Sequence, residues 1–164
     1  MNLKIGENCI ISKDANIGKN VTIGNNCIIT GNVTIGDNTE IKNFVELRHG
    51  TIVGNNCLLD SRVTSSGNCV IGNNVILRYD TIIARGCEIG DNCYFSPRVM
   101  TNNLDSEKTQ IGGSKFGKNT FVGTNAVIHH GLKIGNNVKI GAMSFVNIDC
   151  EDNSVYFGIP AKKK

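Results

Sequence analysis

The stretch IGENCIISKDANIGKNVTIGNNCIITGNVTIGDNTEI, Ile5 to Ile41, repeats an aliphatic residue every six positions. The same register runs on without insertion or deletion to Phe95, and only Ser65 departs from an apolar side chain. After an interruption it resumes at Phe116, Val122, Ile128, Ile134, Ile140 and Val146, with Phe116 lying 21 residues beyond Phe95 rather than a multiple of six. A period of six fits neither a helix nor a simple amphipathic strand; it is the hexapeptide signature of a parallel β-helix.

Each slot of the hexad has its own chemistry. With the aliphatic residue at slot i, the next slot is often glycine, as at Gly6, Gly18, Gly24, Gly36, Gly54, Gly72 and Gly90. Slot i+3 is asparagine at Asn8, Asn20, Asn26, Asn32, Asn38, Asn56, Asn68, Asn74 and Asn92, with Asp14, Asp80, Gly50 and Gly86 filling four more. These residues tolerate a left-handed backbone, so a corner falls there once per hexad. Three short strands close a triangular coil of about eighteen residues. The expected fold is all-β: a single domain over residues 1–164 with about seven triangular coils, an inserted loop at 97–115 and a C-terminal tail at 150–164.

All seven cysteines occupy slot i+4, where small or β-branched residues otherwise stand. They read as small buried hydrophobes, and an odd number of thiols argues against a disulfide framework and for a reducing compartment. No close-spaced Cys/His cluster points to a metal. Lys and Arg exceed Asp and Glu by 17 to 14, and Lys162, Lys163 and Lys164 account for the excess. A basic face for nucleic acid is therefore not expected. With no apolar run near the length of a membrane span and no leader pattern at the start, the chain reads as soluble and cytoplasmic, without a membrane partner.

Residues eighteen apart stack on one edge, so the hexads sort into three columns, named here by their first members Ile5, Ile11 and Ile17. The Ile11 and Ile17 columns keep asparagine, aspartate or glycine at every corner up to Asn92. The Ile5 column abandons the rule from its third coil: Phe44, Arg62 and Arg98 take the corner slot, with Tyr79 beside Asp80. Deviations stacked on one edge predict a contact surface, such as the flank of an oligomer. The loop is expected to leave from this same edge, and its Asn102, Asn103 and Asp105 could hydrogen-bond a polyhydroxylated ligand.

The run IGNNVKIGAMSFVNID (134–149) followed by SVYFGIPAK (154–162) resembles the last coil and tail of the left-handed β-helix acyltransferases, the hexapeptide-repeat superfamily, and in particular the coenzyme-A-dependent sugar acetyltransferases. The resemblance implies a left-handed coil, a homotrimer with active sites in the clefts between subunits, and acetyl-CoA as acyl donor without a metal. Carried over by position, it places Thr124, Ala142, Asn147 and Lys162 against the acyl-CoA; the chemistry separately asks for a donor to the developing oxyanion, which a backbone N–H at a glycine-rich corner such as Gly141 could provide. Ile148 departs from the pattern, standing where lysine is usual.

Many relatives of this kind carry a catalytic histidine in the inserted loop, which has none here; the only histidines are His49, His129 and His130. AVIHHGLKIG (126–135) resembles a second pattern, in which the residue at the place of His130 is the general base, although Gly131 replaces the aspartate that often follows. His49 sits about four coils away. The implied activity is transfer of an acetyl group to a nucleotide-linked amino sugar for surface polysaccharide synthesis. A sugar O-acetyltransferase and a non-catalytic interaction module are the alternatives, and the adjacent His129 and His130 do not match the spaced ligands of a γ-class carbonic anhydrase.

Overall fold

The computed structural model describes residues 2–109 and 112–164. Each hexad contributes a strand of two residues, such as Lys4–Ile5, Ile10–Ile11 and Asn16–Ile17, and each strand pairs in parallel with the one eighteen residues on. The strands stack into three faces of ten, eight and seven strands, which close a left-handed triangular prism of seven complete coils and most of an eighth. Slot i points to the axis. Ile23, Ile41, Leu59, Leu77, Ile83, Ile128 and Ile140 are each at most 1 % exposed.

Ser65 shows how a polar residue survives in this column of aliphatic rungs. Its hydroxyl lies 2.6 Å from that of Thr51, also fully buried, so the two satisfy each other. The cysteines are free, and burial pushes the Cys87 and Cys93 thiols to about 11 and Cys150 to about 12. Thiols held in that range stay protonated and unreactive at neutral pH.

The corners explain the glycines. At slot i+3 the backbone is left-handed at nearly every corner, Asp14 and Asp149 excepted, with φ of 56° at Asn20, Asn38, Asn56 and Asn74. At slot i+2 an Asn or Asp side chain reaches down one coil and accepts the N–H of the residue below: Asp37 from Lys19 at 2.7 Å, Asn55 from Asp37 at 2.7 Å, Asn73 from Asn55 at 2.8 Å and Asp91 from Asn73 at 2.9 Å. The carboxamide or carboxylate lies where the slot i+1 residue would place a β-carbon. A Cβ on Gly18 would be 2.4 Å from Asp37 Oδ1, and one on Gly36 would be 2.6 Å from Asn55 Oδ1. Glycine below and Asn or Asp above are therefore one device spread over two coils.

The solenoid does not stop at Pro97. Met100–Thr101 forms a strand on the second face, and the Arg98 N–H donates to the Tyr79 carbonyl at 3.0 Å, so residues 97–101 are an ordinary corner and rung. Val99 fills the small slot as Val45 and Val63 do, and the Thr101 hydroxyl finds buried partners that let it replace an aliphatic residue. The excursion thus spans 102–114 and leaves from the Ile11 edge, not the Ile5 edge. It is absorbed without breaking the stack, since Ile89 pairs with Phe116 and Thr101 with Ile128.

The two ends differ. Val155–Gly158 adds to the first face and Ala161–Lys163 folds back antiparallel on it, so a hairpin covers the C-terminal end. At the other end Ile5 and Ile10 are exposed. Among the described residues no helix is long and apolar enough to cross a membrane. Substituting Gly36→Ala should cost about 1–3 kcal/mol in chemical denaturation, because the new methyl meets fixed backbone at Gly54 as well as the Asn55 cap. Ser66→Ala, at the same slot on an edge without caps, should stay within about 0.5 kcal/mol.

Candidate functional site

The capping device divides the surface into closed and open edges. On the Ile17 edge it runs almost unbroken to the top, where Asn136 caps Lys118 and Asp152 caps Asn136. On the Ile5 edge it holds for Glu7 and Asn25 and then lapses. Ala142 stands above Thr124 and has no side chain to offer. Among the described residues no protein acceptor pairs with the N–H of Thr124 or of Ala142. Two backbone donors one coil apart, about 5 Å, are left facing outward on one corner.

Thr124, Gly141 and Ala142 share this corner: the Met143 N–H donates to the Thr124 carbonyl at 2.8 Å, which stacks one turn on the other. Gly141 itself is not an open donor. Its N–H is spent on the Tyr156 carbonyl at 2.8 Å, and a Cβ there would lie 2.8 Å from the Phe157 Cβ. The oxyanion role read from sequence therefore cannot rest on the Gly141 N–H; the free donors are its neighbours. Lys162 lies in the hairpin opposite Phe157, above the same corner.

The Ile5 edge carries the stacked deviations, with a fourth member. Phe44, Arg62, Arg98 and Met143 all adopt φ between 60° and 62°. The arginines have partners in the chain: Arg62 grips Asp80 with two nitrogens at 2.6 and 3.1 Å, Arg98 approaches the same carboxylate at 3.9 Å, and Arg78 bridges Asp60 and the Tyr94 hydroxyl. The Arg62 hydrogen bond holds the Asp80 carboxyl below its usual range, with the charges of Arg62 and Arg98 adding to it. Phe44 and Met143 are 56 % and 60 % exposed, and nothing within the chain covers them.

The remaining residues singled out in the sequence lie one edge away. His130 and Asn147 belong to the Ile11 edge, with the His129 N–H donating to the Val146 carbonyl and so setting Asn147 over His129. The His129 and His130 rings are 3.9 Å apart, and His129 meets Phe145 edge-on. The His130 Nδ1 is buried without a hydrogen-bond partner. A histidine base working through Nε2 needs its other nitrogen to hold the proton against an acceptor, and none of the described residues supplies one.

Below the histidines the excursion overhangs a pocket of about 270 Å³ lined by Ser66, Ile82, Ala84, Thr101, Asn102, Asn103 and Leu104. Asn102 and Asn103 are thus brought together, whereas Asp105 turns to the backbone of its own loop and accepts the Thr109 N–H at 2.7 Å. Thr101 is the residue that sequence reading missed. Its hydroxyl accepts the Ala84 N–H at 2.7 Å and donates to the Ile82 carbonyl at 3.3 Å, fixing the pocket floor to the root of the loop. The signal was the six-residue step from Phe95 to Thr101 with Val99 between.

Residues 1–89 match the family described as the GMPPB C-terminal domain, and residues 113–147 match the bacterial transferase hexapeptide (six repeats). No curated protein matches the chain in sequence. Among solved structures, UDP-N-acetylglucosamine O-acyltransferase (LpxA) from Moraxella catarrhalis RH4 superposes with a TM-score of 0.70 at 19 % identity, over 95 % of this chain and 72 % of that one. LpxA from Acinetobacter baumannii gives a TM-score of 0.65 at 22 % identity, over 95 % and 71 %. These likenesses establish the fold. Replacing Thr101 by valine should leave the buried Ala84 N–H unsatisfied and cost about 1–3 kcal/mol in denaturant unfolding.

Proposed function

We propose that this chain, which belongs to the hexapeptide-repeat superfamily of left-handed β-helix proteins, is a cytoplasmic, homotrimeric acetyltransferase that moves an acetyl group from acetyl-CoA to a nucleotide-linked amino sugar. The observation that carries the reading is the lapse of the cap at Thr124 and Ala142. An extended pantetheine arm displays amide carbonyls along its length, and an edge with successive open N–H groups is the surface such an arm requires. Lys162, in the hairpin above the same corner, would meet the nucleotide phosphates of the donor. Its resemblance in fold to acyltransferases of UDP-N-acetylglucosamine supports the class of reaction.

The reaction forms a C–N bond and breaks a C–S bond. The acceptor amine attacks the thioester carbonyl, and the negative charge developing on oxygen needs a preorganised donor, which the Thr124 or Ala142 N–H would provide. The amine proton leaves as the tetrahedral intermediate collapses and is returned to the departing thiolate. His130 is the candidate carrier, and Asn147, on the turn above His129, would contact the acyl-CoA. Asn102 and Asn103 would hold the sugar hydroxyls, with Asp105 shaping the loop.

The proposed assembly is supported by the separation of the two candidate sites. Thr124 and His130 are six residues apart on different edges, up to about 20 Å by chain length, with the second face between them. Donor and base would meet only if the Ile5 edge of one subunit faced the Ile11 edge of the next, which is the arrangement a cyclic trimer repeats three times. Phe44 and Met143, exposed in the single chain, would be covered there.

Thiol release from acetyl-CoA should be seen with nucleotide amino sugars and not with simple hydroxyl acceptors alone; activity confined to hydroxyl acceptors would favour an O-acetyltransferase, and no binding of acetyl-CoA in calorimetry would leave a non-catalytic module. His130→Ala should lower turnover about 100-fold or more with acetyl-CoA affinity little changed. Turnover within a few-fold of the parent would instead assign the proton to the departing sulfur. Phe44→Asn and Arg98→Asn should shift the mass in solution from trimer toward monomer, while Phe44→Asn also relieves about 1 kcal/mol of left-handed strain.

A further inference from the structure

We propose that the Ile11 edge below the pocket is a phosphate-binding site, so that the acceptor enters as a sugar carrying a phosphate or diphosphate at its anomeric end. The inference rests on the acyl-transfer reading for the sugar but on separate residues for the phosphate. The pocket lining is uncharged: Ser66, Asn102 and Asn103 offer neutral donors and acceptors suited to a sugar ring, and nothing there would attract an anion. Beside its lower rungs, at slot i+2 of the same coils and the one below, the chemistry changes.

Slot i+2 of this edge reads Lys13, Gly31, His49, Gly67, Arg85 in ascending order. Stacking is direct: the Gly86 N–H donates to the Gly67 carbonyl at 3.2 Å, and the Asn68 N–H to the His49 carbonyl at 2.8 Å. Arg85 and His49 are therefore two coils apart, about 10 Å, with the side-chain-free step of Gly67 between them. Gly67 is held at φ +103°, and a Cβ there would lie 2.9 Å from the His49 carbonyl oxygen and 3.6 Å from the Arg48 Cβ. The step is thus bare by necessity, and it is bounded by a guanidinium above, an imidazole below and the Arg48 guanidinium alongside.

Two further observations point the same way. Arg85 is exposed and forms no ion pair among the described residues, whereas Arg48 is held by Glu46 at 2.7 Å, the one carboxylate on its outward face at this level. The capping device is also missing: slot i+2 carries no Asn or Asp from Lys13 to Arg85, and Asn103, one coil above Arg85, lines the pocket and accepts no N–H from below among the described residues. The N–H groups of His49 and Arg85 consequently have no protein acceptor among the described residues. Open backbone donors beside an unpaired arginine form an anion cradle. On the Ile17 edge the same donors are filled by carboxamides and carboxylates, and no comparable site exists there.

The span also fits. A diphosphate attached to a sugar seated under Asn102 and Asn103 would pass Ser66 and reach the bare step at Gly67, where Arg85 and His49 approach from either side. A single phosphate would reach Arg85 alone. Both ligands share the chemistry, and the site favours the longer one.

The test is a titration of the intact protein without acyl-CoA, using uridine diphosphate, inorganic pyrophosphate, glucosamine 1-phosphate and glucosamine at low salt. The first three should bind and glucosamine much more weakly; tighter uridine diphosphate than glucosamine 1-phosphate identifies a nucleoside diphosphate, and the reverse a sugar phosphate. Arg85→Gln should weaken uridine diphosphate by about 10-fold or more and His49→Gln by several-fold, as loss of a charge-assisted donor requires. Lys19→Gln, on the closed Ile17 edge, should change nothing. Equal loss in Lys19→Gln, unchanged affinity in Arg85→Gln, or no binding of any phosphate ligand would overturn the site. Arg85-dependent binding with no thiol release from acetyl-CoA would leave this site standing and remove the acyl-transfer reading; thiol release with neutral sugars alone would do the opposite.

Discussion

The interaction on which this structure depends is a hydrogen bond between coils: the Asn or Asp oxygen at slot i+2 accepts the N–H of the corresponding residue one coil below. A corner is the weak point of a stacked solenoid, because the chain turns away from the sheet there and its amides lose their ladder partners. An unpaired buried or half-buried N–H costs roughly as much as several rungs gain at the margin. The cap closes that gap. It also demands glycine in the coil below, since the carboxamide occupies the space of a β-carbon. The periodic glycine and the periodic asparagine are cause and effect across eighteen residues.

Once this is seen, the three edges stop being equivalent. The Ile17 edge spends its donors internally, and its asparagine side chains at slot i+3 run on as a ladder, Asn74 to Asn92 and Asn119 to Asn137. Such an edge has little left to give a ligand. The Ile5 edge is closed at its base and open from the third coil, and the Ile11 edge carries no cap. Donors that are not used to hold the solenoid together are available for something else, and the glycine pattern marks where: on the Ile11 edge slot i+1 reads Ser12, Thr30, Arg48 and Ser66, with no carboxamide at slot i+2 above to exclude them.

The fold was legible in the sequence to the level of single slots, because a backbone that must turn left-handed every six residues admits few side chains. Ile5, Asn8 and Cys9 stand for the whole repeat. Legibility failed where a polar residue filled an aliphatic slot. Thr101 looked like loop, since its hydroxyl carries no sign in sequence of the Ala84 N–H waiting for it, and the loop was therefore set on the wrong edge. The site was legible in part. Thr124 and Ala142, which only the resemblance singled out, have open amides, whereas the Gly141 N–H offered as a donor is already used by Tyr156. Hydrogen-bond competition from the tail, some fifteen residues away, has no local signature.

The residues that break the corner rule say most about function, because each is held against a cost. Phe44 and Met143 keep φ near 60° where asparagine would fit, at about 1 kcal/mol each. The arginines at Arg62 and Arg98 recover some of that cost through Asp80, so their presence is explicable within one chain. The two apolar side chains recover nothing there. An exposed aromatic and an exposed thioether on one edge, in a backbone that resists them, are stable choices only if a second surface buries them. The open amides of Thr124 lie on that same edge, one coil below Met143. A surface that both covers Met143 and leaves a channel for an extended ligand at Thr124 must be rigid and shaped to the corner. In the proposed trimer, the Ile11 edge of an identical chain, whose corners repeat at the same spacing, would meet both conditions.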